Sequence, residues 1–253
     1  MPLKPFAADL HLHTALSPCA AEEMTPPAIV RAALGAGLSM IAVCDHNTAG
    51  NAAAVQEAAA RAAAVGQGRL VVLAGMEIMT AEEVHVVGLF PDAASAEAAA
   101  AEVLPTLPMQ RGRPSRFGRQ TLMDADGRAV GREKRMLASA STFDLSASVD
   151  VIKRHGGVAV AAHVDRPSFS VTSQLGVFPE DVAFDALEIS AFTLGTPKEI
   201  FFRSLGLPVW VSSDAHSLEE IGAAQTVLTA AVATPAELIL AARENGAKGV
   251  ARA

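Results

Sequence analysis

The chain has no tyrosine, one tryptophan and two cysteines in 253 residues. Cys19 and Cys44 are too few for a disulfide framework. A free thiol near histidines in a reducing compartment is instead a candidate ligand. The aromatics amount to ten phenylalanines and the single tryptophan, so aliphatic and alanine side chains must fill the core, which suits helices laid on a sheet. Positive charge is also short. The formal net charge is −7, so no global basic field recruits nucleic acid. No apolar run reaches membrane-spanning length without a polar break, and the first residues, MPLKPFAADL, lack the apolar region and cleavage site of a signal peptide. The expected location is cytoplasmic.

What is present is alternation. ADLHLH reads as a strand. TPPAIVRAALGAG reads as a helix with Thr25 as N-cap, Pro26 and Pro27 in its first turn and Gly35 or Gly37 at its end. SMIAVCDH is a short buried strand, NAAAVQEAAARAAAVG a helix and RLVVLAGME a strand. DLSASVDVIKRHGG predicts a helix, and VAVAAH, DALEIS and LPVWVSSDAH predict further strands. QTVLTAAV is the candidate last strand, with a helix from Thr234 to Asn245 behind it. Strands alternating with helices imply an α/β fold with a mostly parallel sheet covered on both faces. About seven such units in one domain, residues 1–253, point to a closed or nearly closed barrel.

The polar residues collect at the strand ends: His11 and His13, Asp45 and His46, Glu77, His163, and Asp214 with His216. In an α/β barrel those ends share one rim, where sites collect. Side chains two apart on a strand share a face, which pairs His11 with His13 and Asp214 with His216. Asp45, next to His46, should face away and orient a ligand or the turn, and Thr14 could do likewise. A lone buried histidine is usually a satisfied core residue; six of seven at strand ends are not explained that way. Imidazoles with carboxylates favour Zn, Mn or Fe. His85 begins an apolar run instead of ending one, so a hairpin is predicted in which GMEIM runs out, TAEE turns and VHVVGLF returns antiparallel, bringing His85 to Glu77. His155, in the last turn of a helix, has a structural role. Cys44 reads as a small buried hydrophobe.

The ordered set DLHLHT, CDHN, GME with EVH, AAHVDRPS and SDAH resembles the PHP family (polymerase and histidinol phosphatase domain), and its motifs span Asp9 to His216. The resemblance implies a distorted seven-stranded β/α barrel with two to three divalent transition-metal ions at the C-terminal rim. It implies one ion held by His11, His13, Glu77 and Asp214, a second by Glu77, His85 and His163, and a third by His46, His216 and Cys19. Cys19 departs from the usual His or Asp there and would tilt that site toward Zn or Fe.

Such a cluster suits phosphoester hydrolysis by a metal-activated water, with His163, His216 and Asp45 as candidate catalytic groups. The expected function is a metal-dependent phosphomonoesterase acting on a small metabolite or nucleotide. The alternatives are a phosphodiesterase on short oligonucleotides, an amidohydrolase, and a non-catalytic metal-binding module. No lysine stands at a strand end, which speaks against amidohydrolases that use a carbamylated lysine. Arg166 and Ser168, on a rim loop, are candidate substrate-binding residues. Residues 92–145 read as an insertion, a candidate cap over the barrel mouth with a hairpin around Asp124 to Gly127. Arg116 and Arg135 are its candidate phosphate contacts. Stacking aromatics for nucleic acid are few: Phe117, Phe143 and Phe169.

Overall fold

Seventeen elements follow one another along the chain: β1 (Pro5–Leu12), α1 (Pro26–Gly35), β2 (Met40–Val43), α2 (Ala52–Ala64), β3 (Val71–Met79), β4 (His85–Phe90), α3 (Ala93–Val103), β5 (Thr121–Met123), β6 (Ala129–Arg132), α4 (Leu145–Arg154), β7 (Val158–Ala161), α5 (Val171–Leu175), β8 (Ala186–Ile189), α6 (Pro197–Ser204), β9 (Val209–Val211), β10 (Ala224–Thr229) and β11 (Lys248–Ala251). The computed structural model describes residues 5–110, 118–229, 235–238 and 248–251. The helix expected from Thr234 to Asn245 lies mostly outside them, with 235–238 helical.

Local signals set the boundaries. Prolines open α1 behind Thr25, and Gly37 takes a left-handed φ of 75° just past its end, where a residue without Cβ is cheapest. Asp144 caps α4 by accepting from the Ala147 amide at 2.8 Å.

One sheet holds nine strands in the order β11-β10-β1-β2-β3-β4-β7-β8-β9. Strands β1, β2 and β3 pair in parallel, as do β7, β8 and β9. Between the two sets β4 runs antiparallel to both β3 and β7. The hairpin predicted from His85 is therefore present, with Met79 opposite His85. The strand count of seven needs correction. The C-terminal residues add the antiparallel pair β10–β11 on the free side of β1, and a single sequence does not reveal where a final strand pairs.

The sheet curls until its ends nearly meet. The Val211 amide donates to Thr226 Oγ1 at 2.7 Å, and that hydroxyl donates back to the Val211 carbonyl at 2.8 Å. The His13 amide donates to the Ala215 carbonyl at 2.9 Å. Buried Asp9 accepts from the Ser213 and Gly222 amides and the Ser213 hydroxyl, tying the segment after β9 to β1.

Two apolar layers follow from strand alternation. Ala8, Leu10, Met40, Ala42, Cys44, Val160 and Trp210 fill the barrel interior, while Leu12, Ile41, Val43, Ala161 and Val211 pack outward against the helices. Along β1 the parity changes: Leu10 is inside and Leu12 outside, and the β1–β2 register shifts between Asp9 and Leu12. A bulge re-aims side chains in this way, and here it turns His11 and His13 into the mouth.

Of residues 92–145, expected as an insertion, α3 packs Ala96, Ala99, Ala100 and Val103 into the main core, and the rest is folded over its described part. β5 and β6 form the expected hairpin, with the Gly127 amide donating to the Asp124 carbonyl at 2.9 Å. A small core of Leu16, Leu107 and Leu137 joins it to the loop after β1. Asn47 Nδ2 donates to the carbonyls of Leu137 and Ser139, and Asn51 Nδ2 to the Thr121 carbonyl. Two rim loops are thus braced by this segment.

Candidate metal centre

Glu77, fully buried at the end of β3, lies within 3.5 Å of five imidazoles. The distances are His11 Nε2 3.5 Å, His13 Nε2 3.5 Å, His46 Nδ1 2.9 Å, His85 Nδ1 2.7 Å and His163 Nε2 3.2 Å. Asp214 Oδ1 adds approaches of 2.9 Å to His13 Nε2 and 3.3 Å to His11 Nε2. Three sets of candidate ligand atoms lie within 4.8 Å of one another: His11, His13, Glu77 and Asp214; His46, Glu77 and His85; and His13, His46 and His216.

The first of these sets holds the four residues that the resemblance implied for one ion. The other two differ from the implied grouping. His46 joins Glu77 and His85, where His163 was expected, although His163 still reaches Glu77. His13 stands with His46 and His216, where Cys19 was expected. Cys19 stands at the edge of the cluster, its thiol part-buried, with Sγ 3.2 Å from His46 Nε2. Partial burial would raise its pKa, but hydrogen bonding to His216 and His46 brings it down to about 7.

Several of the atoms that face one another here have no hydrogen-bond partner. His11 Nε2, His46 Nδ1, Glu77 Oε2, both ring nitrogens of His85 and His163 Nδ1 are buried without a hydrogen-bond partner. Native proteins seldom leave such groups unmatched, and a cation matches them at once. The residues present therefore fit divalent ions.

Supporting residues fix which nitrogen faces inward. Ser17 Oγ donates to Asp45 Oδ1 at 2.7 Å, because a carboxylate only accepts. Toward His13 Nδ1, 2.9 Å away, the same hydroxyl must accept, so the proton sits on Nδ1. Nε2 is left bare, facing Asp214. Burial first, then His216 and His46, keep His13 well below the usual histidine pKa, so no second proton fills that gap. His11 Nδ1 faces Glu188 Oε1 and Oε2 at 3.0 and 3.1 Å. Burial works against charge on His11, but Glu188, Asp214 and Glu77 raise its pKa well above the ordinary value. Without an ion a proton holds that place, and ion binding must displace it. Glu77 and Asp214 are themselves held far below the carboxylate range despite burial, Glu77 by His85, His11 and His46, and Asp214 by His11 and His13.

The backbone contributes as well. His163 and Asp214 adopt left-handed φ values of 28° and 53°, unusual for residues with Cβ. His163 follows inward-facing Ala162, so alternation alone would turn it outward, and the bend carries it back to Glu77.

Asp45 points away from the cluster, as its position beside His46 predicts, and accepts from the Thr14 amide and hydroxyl. It touches Ser17, not a reacting atom. Arg166 pairs through Nη1 with Asp214 Oδ2 and not with neighbouring Asp165. Ser168 is exposed on the same loop. Arg135 lies on the carbonyls of Pro105 and Leu107, inside the insertion rather than at the cluster. Arg116 and Phe117 lie outside the described residues. His155 pairs with Glu102 at 2.6 Å on the surface.

Three contributors escaped the sequence reading. Glu188 stands in the apolar run ALEI, where an isolated inward-facing carboxylate was the available signal. Ser17 gave none, and Phe169 was singled out only as a stacking aromatic for nucleic acid. Phe169 stacks on His85 at 4.9 Å, and its carbonyl accepts from the His85 amide.

Residues 199–246 match a family model described as PHP-associated. No curated protein matches the sequence significantly. Among solved structures the chain is similar to the lesion-specific endonuclease Q of Pyrococcus furiosus, with TM-score 0.65, 16% identity and 97% of this chain covered. The chain spans 58% of that endonuclease's length. It is similar to a two-domain protein from Bacteroides vulgatus containing a predicted PHP-like metal-dependent phosphoesterase, with TM-score 0.58, 15% identity and coverage of 98% and 65% of the two chains. It is also similar to an amidohydrolase from Chromobacterium violaceum, with TM-score 0.55, 24% identity and coverage of 85% and 89%. The C-terminal segment thus matches a PHP-associated model, and the fold as a whole is similar to that of these solved structures.

Proposed function

We propose that this protein is a metal-dependent phosphoesterase that hydrolyses phosphate monoesters of a small metabolite or nucleotide. One observation carries the reading: buried imidazole nitrogens and carboxylate oxygens converge around Glu77, several of them without a hydrogen-bond partner. Divalent ions at such a site lower the pKa of bound water to about 7 and neutralise phosphoryl charge.

The chain's own residues do the rest. Glu77 and Asp214 supply negative charge that several ions can share. Glu188 and the Ser17–Asp45 pair hold His11 and His13 with Nε2 turned inward. Arg166, hydrogen-bonded to Asp214, carries further N–H donors within reach of a phosphate drawn to the cluster. The insertion braces the loops after β1 and β2 and so keeps His46 in register with Glu77.

The protein loaded with manganese or zinc is expected to hydrolyse phosphate monoesters faster than a diester such as bis(p-nitrophenyl) phosphate. His11→Ala should abolish turnover and leave the far-ultraviolet circular dichroism unchanged; full activity in that variant would contradict the assignment. The endonuclease likeness favours a second reading, phosphodiester cleavage, and faster turnover of the diester would establish it. An amidohydrolase reading has less support: Lys153 pairs with Asp185, and Lys134 and Lys198 are exposed.

A further inference from the structure

Beside the cluster, a groove of about 720 Å³ is lined by Arg166, Pro167, Ser190, Phe192, Thr193 and Lys198, among others. Arg166 joins it to the metal centre, because the same guanidinium that lines the groove pairs with Asp214. Nothing in the phosphoesterase reading accounts for the rest of its wall.

The polar groups of the groove are unevenly available. Asp165 is its single carboxylate, and both oxygens are already engaged. Oδ1 accepts from the Ser190 amide at 2.8 Å; Oδ2 accepts from the hydroxyls of Ser190 and Thr193. Those two hydroxyls are thereby turned into the wall, their hydrogens spent on Asp165. A polyhydroxylated ligand would find few partners here. What faces the groove is the ring of Phe192, 93% exposed, with proline surface, Arg166 and exposed Lys198. A large aromatic left in water at the tip of a one-turn 3-10 helix (Ala191–Thr193) adds nothing to the core. A planar π-system flanked by two cations suits a flat aromatic ring carried on a phosphate.

Resting on the phosphoesterase reading, the geometry points to a nucleotide as the substrate class: the nucleobase stacks on Phe192 while its phosphate reaches the cluster past Arg166. Phe192 is a specificity-determining residue in this arrangement and has no part in bond cleavage.

The test compares adenosine monophosphate with glycerol 2-phosphate, which has a phosphate and no base, on the metal-loaded full chain. Phe192→Ala should raise KM for the nucleotide about tenfold, as expected for loss of one stacked base. It should leave KM for glycerol 2-phosphate and kcat for both within about twofold. Phe192→Trp should restore the nucleotide KM. Equal effects of Phe192→Ala on both esters, or no effect on either, would overturn the groove assignment and leave the phosphoesterase reading standing. If neither ester is hydrolysed, the phosphoesterase reading falls, and calorimetric binding of adenosine monophosphate decides the groove. About tenfold weaker binding to the alanine variant supports it; equal binding refutes it.

Discussion

At the residue scale, the centre depends on groups that stand behind the inward-facing histidines. Glu188 holds His11 through Nδ1 and also accepts from the His163 amide at 3.2 Å. Ser17 does the same service for His13 and accepts from the His46 amide at 3.1 Å. Outer partners of ligating histidines typically contribute 10- to 100-fold in metal affinity. Glu188→Gln, close to isosteric, is expected to weaken metal affinity by about 10- to 100-fold in competition with a chelator. Ser17→Ala should lower it by about tenfold. Unchanged affinity in both would show that His11 and His13 are oriented without these partners. The convergence of the inward-facing imidazoles and carboxylates was legible because such groups at strand ends have few other reasons to be there. Ser17 and Glu188 were not, because their role depends on which distant side chain each one meets. Cys19 marks a second limit: the spacing brought its thiol to His46, but the set of three histidines around His13 formed without it.

At the element scale, period and capping signals located the helices and most strands. Thr25 with two prolines starts α1, and Asp144 starts α4. The β3–β4 hairpin followed from one inconsistency, a histidine at the wrong end of an apolar run. Pairing of β10 and β11 was not readable, since edge position is decided by the whole sheet. The floor of the centre depends on close approach between strands. A Cβ added at Gly75 would lie 2.7 Å from Cys44 Sγ and 2.9 Å from the Val43 carbonyl. Gly75→Ala is expected to destabilise the fold by about 1–3 kcal/mol, measured by denaturant midpoint; no change in midpoint would mean β2 and β3 can separate freely. The insertion makes a separate prediction. Leu137→Ala opens the small core with Leu16 and Leu107 and should cost about 2–5 kcal/mol locally. Hydrogen exchange should then speed up over 118–137 while the strands of the barrel keep their protection. Uniform loss of protection would show that the insertion is integral to the barrel rather than a brace upon it.

At the scale of the whole molecule, a sheet that nearly closes gathers candidate ligands separated by about two hundred positions. His11 and Asp214 lie 3.3 Å apart because the segment after β9 is held against β1 by Asp9 and by the His13–Ala215 hydrogen bond. No helix among the described residues is long and apolar enough to cross a membrane. The charged groups buried at the mouth cost stability unless they are matched. Ions that bind the folded chain alone stabilise it by mass action. Chelation should therefore lower Tm, and added manganese or zinc should restore it; a Tm indifferent to chelator would mean that the cluster is satisfied by protons. The most direct measurement is elemental analysis of protein purified without chelator. The account predicts two to three transition-metal ions per chain, falling by at least one in His11→Ala. Folded protein that carries no such ions and takes up none from zinc- or manganese-containing buffer would contradict it.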